Sequence, residues 1–208
     1  MVFLSLVKKA DFIGIYDNAL SSEECDLIID RMHRMSDHWR PARSGPNLVN
    51  REDKDGWDLG FSIIYSDEGI EREIVEPILK SLFKYSEIYY SGHKELQYVP
   101  HFGIWHVLNL QLFPPGGGFK RPHCEHGNDD DKSTRAFVWM FYLNNAKSGT
   151  KFYSQNRTVK AKKGRLVIWP ASVTHVHSGV IPNVNEKYIA TGWYNYSKSE
   201  DDEYVVCW

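Results

Sequence analysis

The feature that most constrains this chain is a change of hydrophobic period near Tyr98. Before it, apolar residues recur at helical spacing; after it they alternate, or run together in short stretches cut by turn residues. Residues 106–113 place Leu108, Leu110 and Leu112 on one face and Val107, Asn109, Gln111 and Phe113 on the other, and Pro114-Pro-Gly-Gly-Gly118 ends the run. Side chains of a strand repeat with period two, so this reads as a strand. Residues 136–143 are almost continuously apolar, as expected of a strand covered on both faces. Residues 151–153, 157–160, 165–169 and 187–196 complete a series punctuated by Gly149, Lys163-Gly164 and Pro170. Many short strands separated by turn signals predict a β-sandwich or barrel.

The N-terminal half reads differently. Ser21 stands three residues before Glu24, a capping-box spacing, with Leu20 and Cys25 placed to staple it. Leu27, Ile28, Met32 and Met35 then follow at helical spacing within residues 10–36. Residues 41–58, rich in Gly, Pro, Asn and Asp, read as a mobile loop, and residues 57–65 as a strand. A second helix is expected over residues 71–89, with Ile74, Val75, Ile78, Leu79, Leu82 and Phe83 as its apolar stripe. Pro77 is tolerated best in a first turn, which predicts a start later than Glu71. The fold class is therefore mainly β with N-terminal helices (α+β).

At 208 residues the expectation is one domain over 1–208, with 1–97 as helical lead-in and outer strands and 98–197 as the core. A 42% hydrophobic and 14% aromatic content is enough to build that core and argues against disorder. The formal net charge of -2 predicts no general affinity for nucleic acid or an anionic membrane. Three widely spaced cysteines, Cys25, Cys124 and Cys207, form no disulfide framework and no Cys-x-x-Cys site, which fits a reducing, cytoplasmic setting. The apolar start, residues 1–7, is too short to span a membrane.

Within the β-rich half lies His123-Cys124-Glu125. In an extended segment, His123 and Glu125 share a face while Cys124 and His126 turn away. One more histidine from a distant strand would complete two histidines and a carboxylate, a set that leaves coordination positions open and suits non-haem Fe(II) oxygen chemistry. The sequence offers His175 and His177, two residues apart, so both could face the pocket. A single histidine is more often a core residue bonded to backbone; two in one short segment after Trp169-Pro170 weaken that reading. Lys187 opens the last strand on the face of Ile189, Thr191 and Trp193. It could pair with a buried anion, each charge offsetting the other's desolvation, and Tyr142 could add a hydroxyl to the same carboxylate.

These residues carry a resemblance. Residues 108–119, Pro122-His-Cys-Glu125, residues 135–144, Ser148-Gly-Thr-Lys-Phe152, residues 160–170 and residues 175–193 resemble, in order, the Fe(II)- and 2-oxoglutarate-dependent dioxygenases of the prolyl-4-hydroxylase-like branch common in bacteria and phages. The matching stretches cover about half the chain; residues 17–35 resemble that branch's lead-in helix more loosely. The resemblance implies a double-stranded β-helix (jelly-roll) core. It implies His123 and Glu125 as proximal ligands and Lys187 as the base holding the 2-oxoglutarate C5 carboxylate. Tyr142 and Thr150 would line that pocket, with Trp193 on the same strand. A family spacing near ten between distal histidine and basic residue favours His177, while counting from Trp169-Pro170 fits His175 equally. Two departures stand out: Glu125 replaces the usual Asp, and Phe113 stands where a tyrosine is frequent. The lost hydrogen bond would fall to Asn109 or Gln111.

The implied activity is hydroxylation of an unactivated C–H bond, with Fe(II) as metal and 2-oxoglutarate and dioxygen as co-substrates. The substrate would be a prolyl or other residue of a peptide or protein, or a small molecule. Retention of the carboxylate favours hydroxylation over halogenation. Two alternatives remain on the same scaffold: a non-catalytic jelly-roll binding module, and a nucleic-acid demethylase. The Asp129-Asp130-Asp131 run disfavours the second, although Lys160, Lys162 and Lys163 form a small basic patch.

Overall fold

The computed structural model describes residues 11–45, 48–64, 69–128, 132–196 and 204–207. Residues 1–7, Tyr65 and the run Asp129-Asp130-Asp131 lie outside them. The strands are β1 (Gly14–Tyr16), β2 (Arg40–Pro41), β3 (Lys54–Asp55), β4 (Trp57–Ser62), β5 (Phe102–Phe113), β6 (Gly118–Phe119), β7 (Arg135–Tyr142), β8 (Gly149–Phe152), β9 (Arg157–Lys160), β10 (Arg165–Pro170), β11 (His177–Val180), β12 (Lys187–Tyr196) and β13 (Tyr204–Cys207). Two helices, α1 (Ser22–Arg34) and α2 (Gly69–Gly92), precede β5. Both helices thus lie before Tyr98, where the period changes, although β1–β4 precede it too.

A large antiparallel sheet runs β1-β10-β7-β12-β5-β4-β2, with β13 on the early part of β5. A small sheet, β11-β8-β9, and the pair β3-β6 complete the scaffold. The large sheet is buried on both faces. One face sets Leu108, Leu110, Trp139, Phe141 and Ala190 against Ile28 and Met32 of α1 and Ile74, Ile78 and Leu82 of α2. The opposite face sets Phe113, Val138, Met140, Tyr142, Ile189 and Trp193 against Phe152 and Val159 of the small sheet. All eight residues of β7 are buried, as its unbroken apolar run requires.

Helix α1 begins as its sequence dictates: Ser21 is the N-cap, and both arms of the capping box with Glu24 are formed. Helix α2 departs from expectation. It runs from Gly69 straight through Pro77, so Pro77 does not sit in the first turn. Burial of Ile74, Val75, Ile78 and Leu82 on one face offsets the missing N–H. Phe83, expected in the stripe, is 39% exposed. The described residues of 41–58 are not all loop: β3 pairs with β6, and β2, which ends at Pro41, pairs with β4.

Gly192 is a point of close approach: a Cβ there would overlap the fully buried Trp139 indole. Gly192→Ala is expected to destabilise by about 1–3 kcal/mol through overpacking. A lowered denaturant midpoint at unchanged slope would register it, and an unchanged midpoint would refute it.

Candidate active site

The two sheets enclose a cavity of 510 Å³ whose walls include His123, Glu125, His177, Asn109, Lys187 and Trp193. Its floor follows from strand register. Lys187 lies opposite Phe113, Ile189 opposite Gln111, and Thr191 opposite Asn109, so every second residue of β12 and β5 points into the same space.

His123 and His177 come together through the backbone. His177 N–H donates to His123 O (2.8 Å) and His123 N–H donates to His177 O (2.9 Å), an isolated bridge between the 120s segment and the first residue of β11. Glu125 N–H then donates to Ala171 O at 3.0 Å, turning the segment so that the carboxylate joins the two imidazoles. One ligand atom from each of His123, Glu125 and His177 lies within 4.8 Å of the others. Glu125 Oε1 is 3.4 Å from His123 Nε2 and 3.7 Å from His177 Nε2.

Both rings are oriented alike. Nδ1 of His123 is 2.9 Å from Arg121 O, and Nδ1 of His177 is 2.9 Å from His175 O. A carbonyl can only accept, so each Nδ1 carries a proton and each ring turns Nε2, the nitrogen a metal would use, to the common point. Phe119 stacks on His123 with centroids 3.7 Å apart. Burial works against a charged Glu125, but hydrogen bonds and charge from His123 and His177 outweigh it and hold its carboxyl well below the usual range. The donor set fits a hard-to-borderline divalent metal with open positions.

His175 does not join this group. The chain makes a short 3-10 turn over Val173–His175, so the period-two relation between the two histidines fails. The His175 ring turns to the other side, with Nε2 2.7 Å from Asp11 O and Nδ1 2.9 Å from Thr174 Oγ1. Burial lowers its pKa.

Lys187 is 3% exposed, and its ammonium lies 4.9 Å from the centroid of Phe113. No carboxylate among the described residues pairs with it. Burial alone pushes its pKa down to about 8. Such a cation on the cavity wall, with no carboxylate partner among the described residues, is a site for an anionic ligand.

Several expected residues have partners within the protein. The Tyr142 and Thr150 hydroxyls bond each other at 2.7 Å, and burial raises the Tyr142 pKa. Trp193 does line the cavity, but its indole N–H donates to Glu125 Oε2 at 3.1 Å. Sequence reading passed over Arg135, whose Nη1 lies 3.2 Å from the same Oε2 and whose guanidinium stacks 3.7 Å from the Trp193 ring centroid. It also missed Lys54, 5% exposed, which binds Asp58 at 2.8 Å while Gln111 donates to Asp58 at 3.0 Å. The available signal for Arg135 was a charged residue opening a strand otherwise wholly apolar.

Residues 107–195 match the family model of the 2OG-Fe(II) oxygenase superfamily. No curated relative matches the chain in sequence. Among solved structures it resembles the viral collagen prolyl hydroxylase of Paramecium Bursaria Chlorella virus-1, solved with 2OG, at TM-score 0.66 and 17% identity over 92% of this chain and 99% of that one. A Pseudomonas putida prolyl-4-hydroxylase gives TM-score 0.62 and 17% identity over 90% and 94%. A Trichoplax adhaerens prolyl hydroxylase, in complex with a hypoxia inducible factor peptide fragment, gives 0.70 and 16% over 89% and 84%. These likenesses show the jelly-roll fold, and the family match adds the chemistry. Residues 107–195 carry a 2OG-Fe(II) oxygenase domain, which makes this a 2-oxoglutarate-dependent dioxygenase working with Fe(II), 2-oxoglutarate and dioxygen.

Proposed function

We propose that His123, Glu125 and His177 hold the Fe(II), that Lys187 binds the far carboxylate of 2-oxoglutarate, and that the enzyme hydroxylates a prolyl residue of a peptide or protein. The observation that carries the reading is the joint placement of three convergent donors and one buried cation lacking an anion, all on one cavity. The prolyl substrate rests on the fold shared with three prolyl hydroxylases, one of them solved with a peptide. Residues 1–208 would act as one domain, in the cytoplasm.

When bound, the iron supplies oxidative cleavage of 2-oxoglutarate to succinate and the power to oxygenate a C–H bond. The protein's part is to position and to exclude water. The Arg121 and His175 carbonyls hold both imidazoles in one tautomer, Phe119 covers His123, and Lys187 fixes the co-substrate by its distal end. Asn109 lines the same cavity with an amide that can serve the co-substrate where Phe113 carries no hydroxyl. The Tyr142–Thr150 pair ties β7 to β8. No helix among the described residues is long and apolar enough to cross a membrane.

The test is anaerobic titration with Fe(II) and 2-oxoglutarate, followed by oxygenation with a proline-containing peptide library. The expected products are succinate and a peptide gaining one oxygen at proline. Oxygen gain only at other residues would overturn the prolyl assignment. Peptide oxidation without 2-oxoglutarate consumption would overturn the co-substrate role of Lys187.

A further inference from the structure

We propose that Arg135 and Trp193 form a clamp on Glu125 that limits its carboxylate to one metal-facing oxygen and so keeps a coordination position open for 2-oxoglutarate. The inference rests on the reading of His123, Glu125 and His177 as the metal ligands.

The two oxygens of Glu125 have different surroundings. Oε2 accepts from Arg135 Nη1 at 3.2 Å and from the Trp193 indole N–H at 3.1 Å. Oε1 faces the two Nε2 atoms at 3.4 and 3.7 Å. The clamp is itself rigid: Arg135 is 7% exposed, Trp193 is 8% exposed, and the guanidinium lies 3.7 Å from the indole centroid. Charge-assisted hydrogen bonds to one oxygen draw its lone pairs away from the cavity. They also fix which oxygen turns inward.

The clamp answers a need specific to this chain. Glutamate has one more rotatable bond than aspartate, and with both oxygens free it can chelate a cation through both. Two oxygens on the metal, with two imidazoles, would take four positions and crowd a co-substrate that itself needs two. Anchoring Oε2 across the strand on β7 and β12 removes that option. Arg135 and Trp193 are thus positioning residues.

The experiment uses Co(II) as the metal probe, with binding read from its d–d absorption and 2-oxoglutarate titrated separately onto the Co(II)-loaded protein. In Arg135→Met, Co(II) should bind at least as tightly as in the unaltered protein, because Glu125 gains a donor oxygen and loses a competing cation. Affinity for 2-oxoglutarate should fall about tenfold or more, and the absorption should change intensity as coordination rises. Arg135→Lys should recover part of the co-substrate affinity. Trp193→Phe keeps the stacked ring but removes the indole donor, so it should shift the same readouts in the same direction, and it carries the test if Arg135→Met fails to fold. In a Glu125→Asp background the shorter arm reaches the clamp less well, so adding Arg135→Met should change 2-oxoglutarate affinity by less than about twofold. A role in general structure alone would instead lower metal and co-substrate affinity together, by the ten- to hundredfold usual for outer partners of a ligand. That parallel loss overturns the clamp, as does no change in either. If the unaltered protein fails to bind Co(II), the ligand reading falls and takes the clamp with it.

Discussion

His123→Ala and His177→Ala should each lower Fe(II) affinity by about a hundredfold or more and abolish 2-oxoglutarate turnover, since removing a ligand costs at least as much as removing one of its outer partners. His175→Ala should retain the metal. The contrast follows from ring direction: both His123 and His177 present Nε2 to Glu125, whereas His175 spends Nε2 on the Asp11 carbonyl across the molecule. Because His175 is buried and bonded at both nitrogens, its removal should lower thermal stability instead. Isothermal titration with Mn(II) or Fe(II) under argon, paired with a melting curve, separates the two effects. Metal loss in His175→Ala at full metal affinity in His177→Ala would reverse the assignment.

Lys187→Ala should raise the 2-oxoglutarate dissociation constant by about a hundredfold, as expected when a carboxylate enters a desolvated pocket without its cation, while metal affinity stays near normal. Lys187→Arg should be intermediate, since the charge survives and the shape does not. An unchanged dissociation constant in Lys187→Ala would remove the co-substrate role. The same lysine sets a pH signature. Its folded pKa, about 8, lies below the ordinary 10.5 because burial disfavours the charged form. Binding the dianion needs the charged form, so affinity should weaken as pH rises past about 8. For the free protein the stability effect has the opposite sense. Between about 8 and 10.5 the unfolded chain holds a proton that the folded chain lacks, so this lysine's contribution to stability rises with pH across that window and its burial costs most below it. That cost is on the order of 3 kcal/mol. Lys187→Met should therefore melt higher than the unaltered protein at pH 7 without ligands, even as it loses 2-oxoglutarate binding.

Much of the scaffold was legible because it rests on local rules. The strand β12 has the bounds that residues 187–196 predict, and β7 is displaced by a single residue from the apolar run. The capping box of α1 depends only on Ser21 and Glu24 three residues apart. The start of α2 was misjudged because proline propensity is a weak local term beside the burial of a whole helical face. The strand at Lys54–Asp55 was missed because these residues pair with Gly118 and Phe119, partners more than sixty positions away.

The sequence by itself determined the residue types of the site and the strands that carry most of them: a histidine and a carboxylate after a glycine-rich turn, two later histidines, and a lysine ten positions beyond the second. Periodicity is enough for that, since side-chain direction in a strand follows position. Tertiary structure alone decided three things. It chose His177 over His175 as the partner of His123, because a 3-10 turn breaks the period between them and a backbone bridge ties His177 to His123. It bonded the Tyr142 hydroxyl to that of Thr150 on a different strand. And it assigned Arg135 and Trp193 to one oxygen of Glu125. Each of these depends on which backbones hydrogen-bond across distant segments, and no local pattern encodes a partner that the chain meets only after the sheets have closed.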